Sequence, residues 1–304
     1  MSFMFPGLQG ALRAFTRTSS TEELPDPVDV CGDGHLKEFE TALDLVRAEV
    51  TKSALGEVPD DVWLRQCLRV SNLDARRAAK VALGMASHRR KYGWPLRQSP
   101  RALEAALRSE IHWVLPGRDQ LGRRALVFRA RALCPPQRPI EELQQMGCLL
   151  LEALTEDPDA QRRGIVFIVD CRGAGVGALR HFSPSDISRG VGMLVDAFPC
   201  KLKAIYVLAM PPLLVPLAFV VKSFMSGKLR ARIKEGEWEL GEAFGGAVAL
   251  PEELGGEAVL GPRYWDAAVD ELLRTGGLPG RIASGSGSAG SSPLRPLEEP
   301  PTPE

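Results

Sequence analysis

From residue 35 to about residue 108 the apolar positions recur at helical spacing. Phe39, Leu43, Val46 and Val50 keep one face of a first helix apolar. A second helix is predicted through Val62, Leu64, Cys67 and Leu68. A third begins near Asn72, runs through Leu73, Ala78, Val81, Ala82 and Met85, and stops where Gly93 and Pro95 interrupt the pattern. Short helices of this kind make a small all-α bundle.

Beyond the bundle the period changes. Residues 124–128 and 164–170 are short β-branched or aromatic runs, residues 140–154 between them are helical, and residues 184–198 are helical again. Residues 204–208 read as a further strand. Strands alternating with helices predict an α/β fold with a mainly parallel sheet flanked by helices.

The apolar run 204–221 is long enough to span a bilayer. Pro211, Pro212 and Pro216 lie inside it, and a spanning helix broken there leaves backbone groups that lipid cannot satisfy. The alternative parse is a buried strand, a turn, and a new helix opening at the Pro211–Pro212 pair, where proline suits the first turn. Leu213, Leu217, Val220 and Phe224 then share one face, with Leu214, Val215, Phe219 and Val221 around the rest. A helix apolar on nearly all sides is expected to be covered on both sides. A lid over an apolar cavity lined by Ile165, Phe167, Leu194, Phe198 and Ile205 fits that pattern, and an ordinary core helix is the other reading. Neither contains a transmembrane segment.

Charge narrows the partners. The 304 residues carry 38 basic and 38 acidic side chains, so no global field exists to hold nucleic acid. Any anion must meet a local cluster, and Lys201, Lys203, Lys222, Lys228, Arg230, Arg232 and Lys234 bracket the apolar helix. That series is either a solvated face or a contact for anionic headgroups. The six cysteines are scattered and no apolar signal segment opens the chain, which reads as reduced thiols in a cytoplasmic protein without a structural zinc.

No catalytic set emerges. His35, His88, His112 and His181 fall in no metal or nucleophile motif, and neither a nucleophile elbow nor a P-loop occurs. Catalytic residues, metal ligands and cofactors are therefore assigned to none. Gly173, Gly175 and Ala178 satisfy a dinucleotide-type pattern, with Asp196 at the distance of a ribose-binding acid. Cys171 and Arg172 separate the glycines from the strand ending at Asp170, so a glycine-rich surface turn is the competing reading. Residues 1–34 read as a flexible tail, in which Leu8, Leu12 and Phe15 also suit a short membrane-touching helix beside Arg13 and Arg17. Residues 276–304 are rich in Gly, Ser and Pro and read as a disordered tail.

Several separated blocks then agree with one known pattern. The run from Phe198 through Pro199, Lys201 and Lys203 to Tyr206, followed by Pro211, Lys222, Phe224, Met225, Lys228, Arg232 and Ile233, resembles the CRAL-TRIO (Sec14-like) lipid-binding domain. Leu250, Pro251, Glu252, Glu253, Leu254, Gly255 and Gly256 add a further block, and Trp63, Leu64, Leu68, Arg69, Leu73 and Asp74 resemble the helical segment preceding the domain. The likeness is nearest to the tocopherol-transfer and retinaldehyde-binding branch. It implies a helical region at 35–110 and a lipid-binding domain at 111–275. It further implies a pocket lined by Ile165, Phe167, Met193, Leu194, Phe198 and Ile205, with lid contacts at Leu213, Leu217, Val220 and Phe224. Basic residues matching Lys201, Lys228 and Arg232 hold a phosphoinositide in that branch, where Ser71 stands in place of a further arginine. Gly147 and Leu151 stand where the tocopherol protein has two serines near the ligand hydroxyl, which argues against vitamin E itself. The expected function is enclosure of one hydrophobic molecule and its transfer at anionic membranes by a reversibly associated cytoplasmic protein. The runner-up is an adaptor module that senses lipid or phosphoinositide without net transfer.

Overall fold

The computed structural model describes residues 33–53, 59–95, 98–133, 138–175, 177, 183–194, 198–260 and 263–278. Apart from their inner ends, both expected tails lie outside the described residues, as do Cys31, Cys134, His181 and Asp196.

Helices α1 (Asp33–Thr51), α2 (Asp61–Val70) and α3 (Ala75–Lys91) form the expected bundle. The face carrying Phe39, Leu43, Val46 and Val50 is buried. Two details depart from the sequence reading. The Asp60 side chain caps α2 by accepting from the Trp63 amide at 2.9 Å, and this setting turns Trp63 inward and leaves Val62 exposed. Asn72 and Leu73 adopt left-handed backbone, with φ of 54° and 63°, so α3 starts only after Asp74, which caps it.

The sheet has five strands in sequential order: β1 (His112–Arg118), β2 (Arg124–Arg129), β3 (Ile165–Asp170), β4 (Leu202–Leu208) and β5 (Ile233–Glu235). β1 runs antiparallel to β2, and every later pairing is parallel. The β1–β2 hairpin turns on Asp119, whose carboxylate accepts from the Leu121 and Arg123 amides, while Gly122 takes φ of 73°. Helices α4 (Ile140–Thr155) and α5 (Pro158–Arg163) join β2 to β3, and α6 (Pro184–Gly192) follows β3. Helices α7 (Val215–Ser223) and α8 (Gly227–Arg230) join β4 to β5, and α9 (Glu237–Phe244) and α10 (Tyr264–Thr275) follow. Of the helix expected over 184–198, α6 covers Pro184–Gly192, a wider turn holds Met193 and Leu194, and Phe198 lies outside any helix. Pro199 disfavours helical backbone at Phe198, which accounts for Phe198 lying outside the helix.

Buried side chains form one continuous core from Leu43 and Leu68 in the bundle, through Leu150 and Ile168, to Val269 in α10. The stretches 35–110 and 111–275 therefore share their apolar interior. Across that junction Gln66 donates to the Thr155 carbonyl, and Arg69 donates to the Gln161 side chain at 2.8 Å.

Candidate ligand-binding site

Strand register decides which side chains share a face. Phe167 pairs with Leu126 on one side and Ile205 on the other, and Val169 pairs with Phe128 and Val207. Ile165 lies on that same face, two residues before Phe167. Val166, Ile168 and Tyr206 point the opposite way and are completely buried, where α9 packs on β4. The first face is not sealed. Phe128, Phe167 and Val169 are only half-buried, although β3 is the middle strand of the sheet. These three side chains therefore keep some exposure over the centre of the sheet, while Leu126, Ile165 and Ile205 on the same face are buried.

This face lies under α4, α6 packs against α4, and α7 packs against α6. Gly147 of α4 sits against the His112 ring, so close that a Cβ there would stand 3.6 Å from Nε2. The same ring lies 5.1 Å from the Phe128 ring and stacks over Phe167 at 6.5 Å. Gln144, one turn earlier on α4, donates through Nε2 to the Asp186 carbonyl of α6 at 2.7 Å.

Ile165, Phe167 and Ile205 thus come together on the open face. Met193 and Leu194 stand at the end of α6, the first buried and the second half-buried. Phe198 packs edge-on against Trp63 of α2, ring centroids 5.5 Å apart, and so joins this region to the bundle. The apolar helix is covered on one side only, which corrects the expectation of cover on both. No residue of α7 is fully buried. Leu217 packs against the core and Val220 is half-buried, whereas Leu213 and Phe224 face outward and Phe219 is 77% exposed. The outward side exists because α7 is the outermost layer of this stack.

Of the three expected headgroup cations, Arg232 is tied to the start of β4. The Arg232 guanidinium donates to the Leu202 carbonyl at 2.5 Å, and the Arg232 carbonyl accepts from the Ile205 amide. This fixes Arg232 beside the start of β4, next to half-buried Lys201. Lys228 is exposed on α8, and Arg232 stands two residues beyond the end of that helix. Lys222 instead forms an ion pair with Glu235 at 3.0 Å, and the Lys234 amino group lies over the Tyr206 ring.

Burial governs the titratable groups here. It lowers His112 to about 4, with the Val127 carbonyl opposing the shift. It also lowers His88 to about 4, helped by Lys91, Arg89 and Arg189. Cys67, Cys148, Cys171 and Cys200 are free, and burial pushes the Cys148 and Cys200 thiols up to about 12. Among the described residues no three His, Cys, Asp or Glu side chains gather as a metal site, and no described helix is long and apolar enough to cross a membrane. Near the glycine motif, Ala174 closes a turn on Cys171, and part of the motif lies outside the described residues. A separate cleft of about 570 Å3, bordered by Arg65, Arg69, Leu149 and Glu152, lies between α2, α4 and the end of α10.

Sequence reasoning passed over His112, Phe128 and Gln144. Strand β1 has apolar side chains on both faces and carries Pro116 and Gly117 at an irregular step in its pairing, so no alternation marks it. The Asp119-to-Gly122 turn before the 124–128 run was the hairpin clue available.

Comparison with known proteins agrees with this geometry. The family model described as the CRAL/TRIO domain matches residues 108–256. The chain is 28% identical over 270 residues to the human alpha-tocopherol transfer protein-like, covering 87% of this chain and 77% of that one. It is 27% identical over 131 residues to rat clavesin-1, covering 43% and 37% respectively. Among solved structures, the crystal structure of Sfh5 superposes with a TM-score of 0.51 at 10% identity, over 80% of this chain and 98% of that one, a likeness of fold.

Proposed function

We propose, on the premise that this chain carries a CRAL/TRIO domain over residues 108–256, that it is a carrier rather than an enzyme. It encloses one hydrophobic molecule between the open face of the sheet and the layer of α4, α6 and α7. The observation that carries this reading is the half-buried state of Phe167 and Val169 on the middle strand, under helices that leave the opposite face sealed. Enclosing a lipid removes several hundred Å2 of apolar surface from water at roughly 25 cal/mol per Å2, enough for tight retention. Release then needs a trigger. The outward apolar side of α7, with Lys228 and Arg232 close by in the chain, supports opening at an anionic membrane, which favours the open state by binding it better. In this reading the protein works in the cytoplasm and meets membranes reversibly, with phosphoinositide contact through Lys201, Lys228 and Arg232. Native mass spectrometry of the purified protein, followed by lipid extraction, tests it. One bound apolar molecule per chain is expected, and a chain that takes up none from mixed-lipid vesicles overturns the reading.

A further inference from the structure

The cleft of about 570 Å3 between α2 and α4 has the size of a small-molecule site. Its two long walls are single helix faces. Val62, Arg65 and Arg69 come from α2, and Leu149, Glu152, Ala153 and Glu156 from α4, each set at steps of three and four residues. Gln98 and Pro100, from the segment after α3, also border it. Two groups of this lining are left unmatched by the fold. Gln98 is only 8% exposed, and its Nε2 is buried with no hydrogen-bond partner among the described residues. Arg69 is half-buried, and its hydrogen bond runs to the neutral Gln161 amide. Burial lowers the Arg69 pKa, and the charges that act on it, Arg65 and Arg162, push the same way. The other charges of the lining do not balance it. Arg65 pairs with Glu40 at 2.7 Å, Glu152 pairs with Arg89, and neither Glu152 nor Glu156 acts on Arg69.

A buried donor without a partner lowers stability, and a leucine would fill the place of Gln98 without that loss. A guanidinium drawn from water without a counter-charge is costlier still. One oxyanion brought by a ligand meets both groups. We propose that this cleft binds a small monocarboxylate with an apolar body, which Arg69 meets with its guanidinium and Gln98 with its amide N–H. The planar fork of an arginine matches the two oxygens of a carboxylate. Val62, Pro100, Leu149 and Ala153 supply apolar surface for the rest of the molecule. A phosphate dianion would set a second negative charge in a lining that already holds two carboxylates and one uncompensated cation, so the single charge is the better match. This site lies apart from the pocket under α4, shares no residue with Lys201, Lys228 and Arg232, and stands whether or not the carrier reading does.

Isothermal titration calorimetry of the full purified chain with 3-phenylpropanoate, and with the neutral 3-phenylpropanamide, tests the proposal. The wild-type protein is expected to bind the carboxylate about tenfold more tightly than the amide, the size of one charge-assisted hydrogen bond. Arg69→Gln should bring that ratio to about 1. Gln98→Leu should weaken the carboxylate about tenfold and unfold in urea no earlier than the wild type, because the stranded amide is gone. Arg69 also ties α2 to Gln161, so the Gln98 variant keeps the test decisive if Arg69→Gln does not fold. Equal wild-type affinity for acid and amide, or no binding of the acid, overturns the proposal. An acid affinity unmoved by Gln98→Leu places the probe elsewhere, in the pocket under α4, and overturns it too.

Discussion

The Arg89 guanidinium of α3 and the Glu152 carboxylate of α4 form an ion pair with both side chains almost wholly buried. Arg89 also donates to the Pro95 carbonyl at 2.9 Å and lies over the Trp63 ring. The pair bolts the N-terminal bundle to the helix that covers the sheet. Removing one partner strands a buried charge, so Glu152→Ala is expected to lower stability by about 3–5 kcal/mol. The double change Arg89→Met with Glu152→Leu restores most of that loss. Urea unfolding of the three proteins measures it.

Gly164 enters β3 with φ of 82°, and a Cβ there would fall on the Lys201 carbonyl oxygen and 2.6 Å from Lys203 Cγ. Gly164→Ala therefore combines backbone strain with a clash against β4, and a loss of at least about 2 kcal/mol is expected. Gly227→Ala meets no neighbour within 4 Å and serves as the control, with little change in thermal midpoint.

Phe219 contributes almost nothing to the fold, being largely exposed, yet it is the most prominent apolar group on α7. Phe219→Ser is expected to leave stability within about 0.5 kcal/mol of wild type. Under the carrier reading the same change weakens binding to anionic vesicles about tenfold, since burying a phenylalanine contributes about 1.5–3 kcal/mol. Sedimentation with liposomes separates the two effects.

Lys228 and Arg232 should behave differently when reversed to Glu. Each loses roughly 1 kcal/mol of attraction to an acidic leaflet, and added salt should erase the difference from wild type. Only Arg232→Glu also forfeits the hydrogen bond to Leu202, so only that variant should lose thermal stability. Equal stability losses in both would place Lys228 in the fold rather than at the membrane.

His88 and His112 both titrate in the folded chain near pH 4, below the ordinary histidine value of about 6.5. Above pH 6.5 both are neutral whether the chain is folded or not. As the pH falls from 6.5 toward 4, the unfolded chain takes up protons that the folded chain refuses, so stability declines across that window. The slope is up to about 1.4 kcal/mol per pH unit for each residue. His112→Phe should flatten it, as read from urea midpoints at pH 7.5 and pH 5.

The bundle helices, α4, most of α6, α7 and the three central strands were legible because their patterns are local, whereas α5 and α8 to α10 were not read. Leu43, Val46 and Val50 repeat at 3.6, and Ile165 through Val169 are β-branched or aromatic. β1 and β5 were not, since β1 lacks alternation and β5 has three residues whose strand state comes from pairing with Ile205 through Val207. The resemblance supplied Phe167 and Ile205 as pocket residues, and register then placed them side by side. It did not supply His112, whose ring becomes significant only when β1 folds beside Phe128 and α4 brings Gly147 onto it. The outward set of Phe219 was equally invisible, because a helix apolar all round does not reveal which side its neighbours leave bare.

The ion pair between Lys222 and Glu235 ties the last turn of α7 to the edge strand, and it breaks if α7 swings outward. A half-exposed pair of this kind contributes at most about 1 kcal/mol, so by itself it tilts the closed-to-open ratio by a factor of about five at most. An acidic leaflet offers Lys222 a new counter-ion as Glu235 loses its own. The motion thus becomes an exchange of partners for one ammonium group, nearly neutral in free energy at a charged surface and uphill in bulk water. Under the carrier reading, a neutral vesicle lacks that exchange, so leaflet composition, and not apolar surface alone, is expected to decide where cargo leaves.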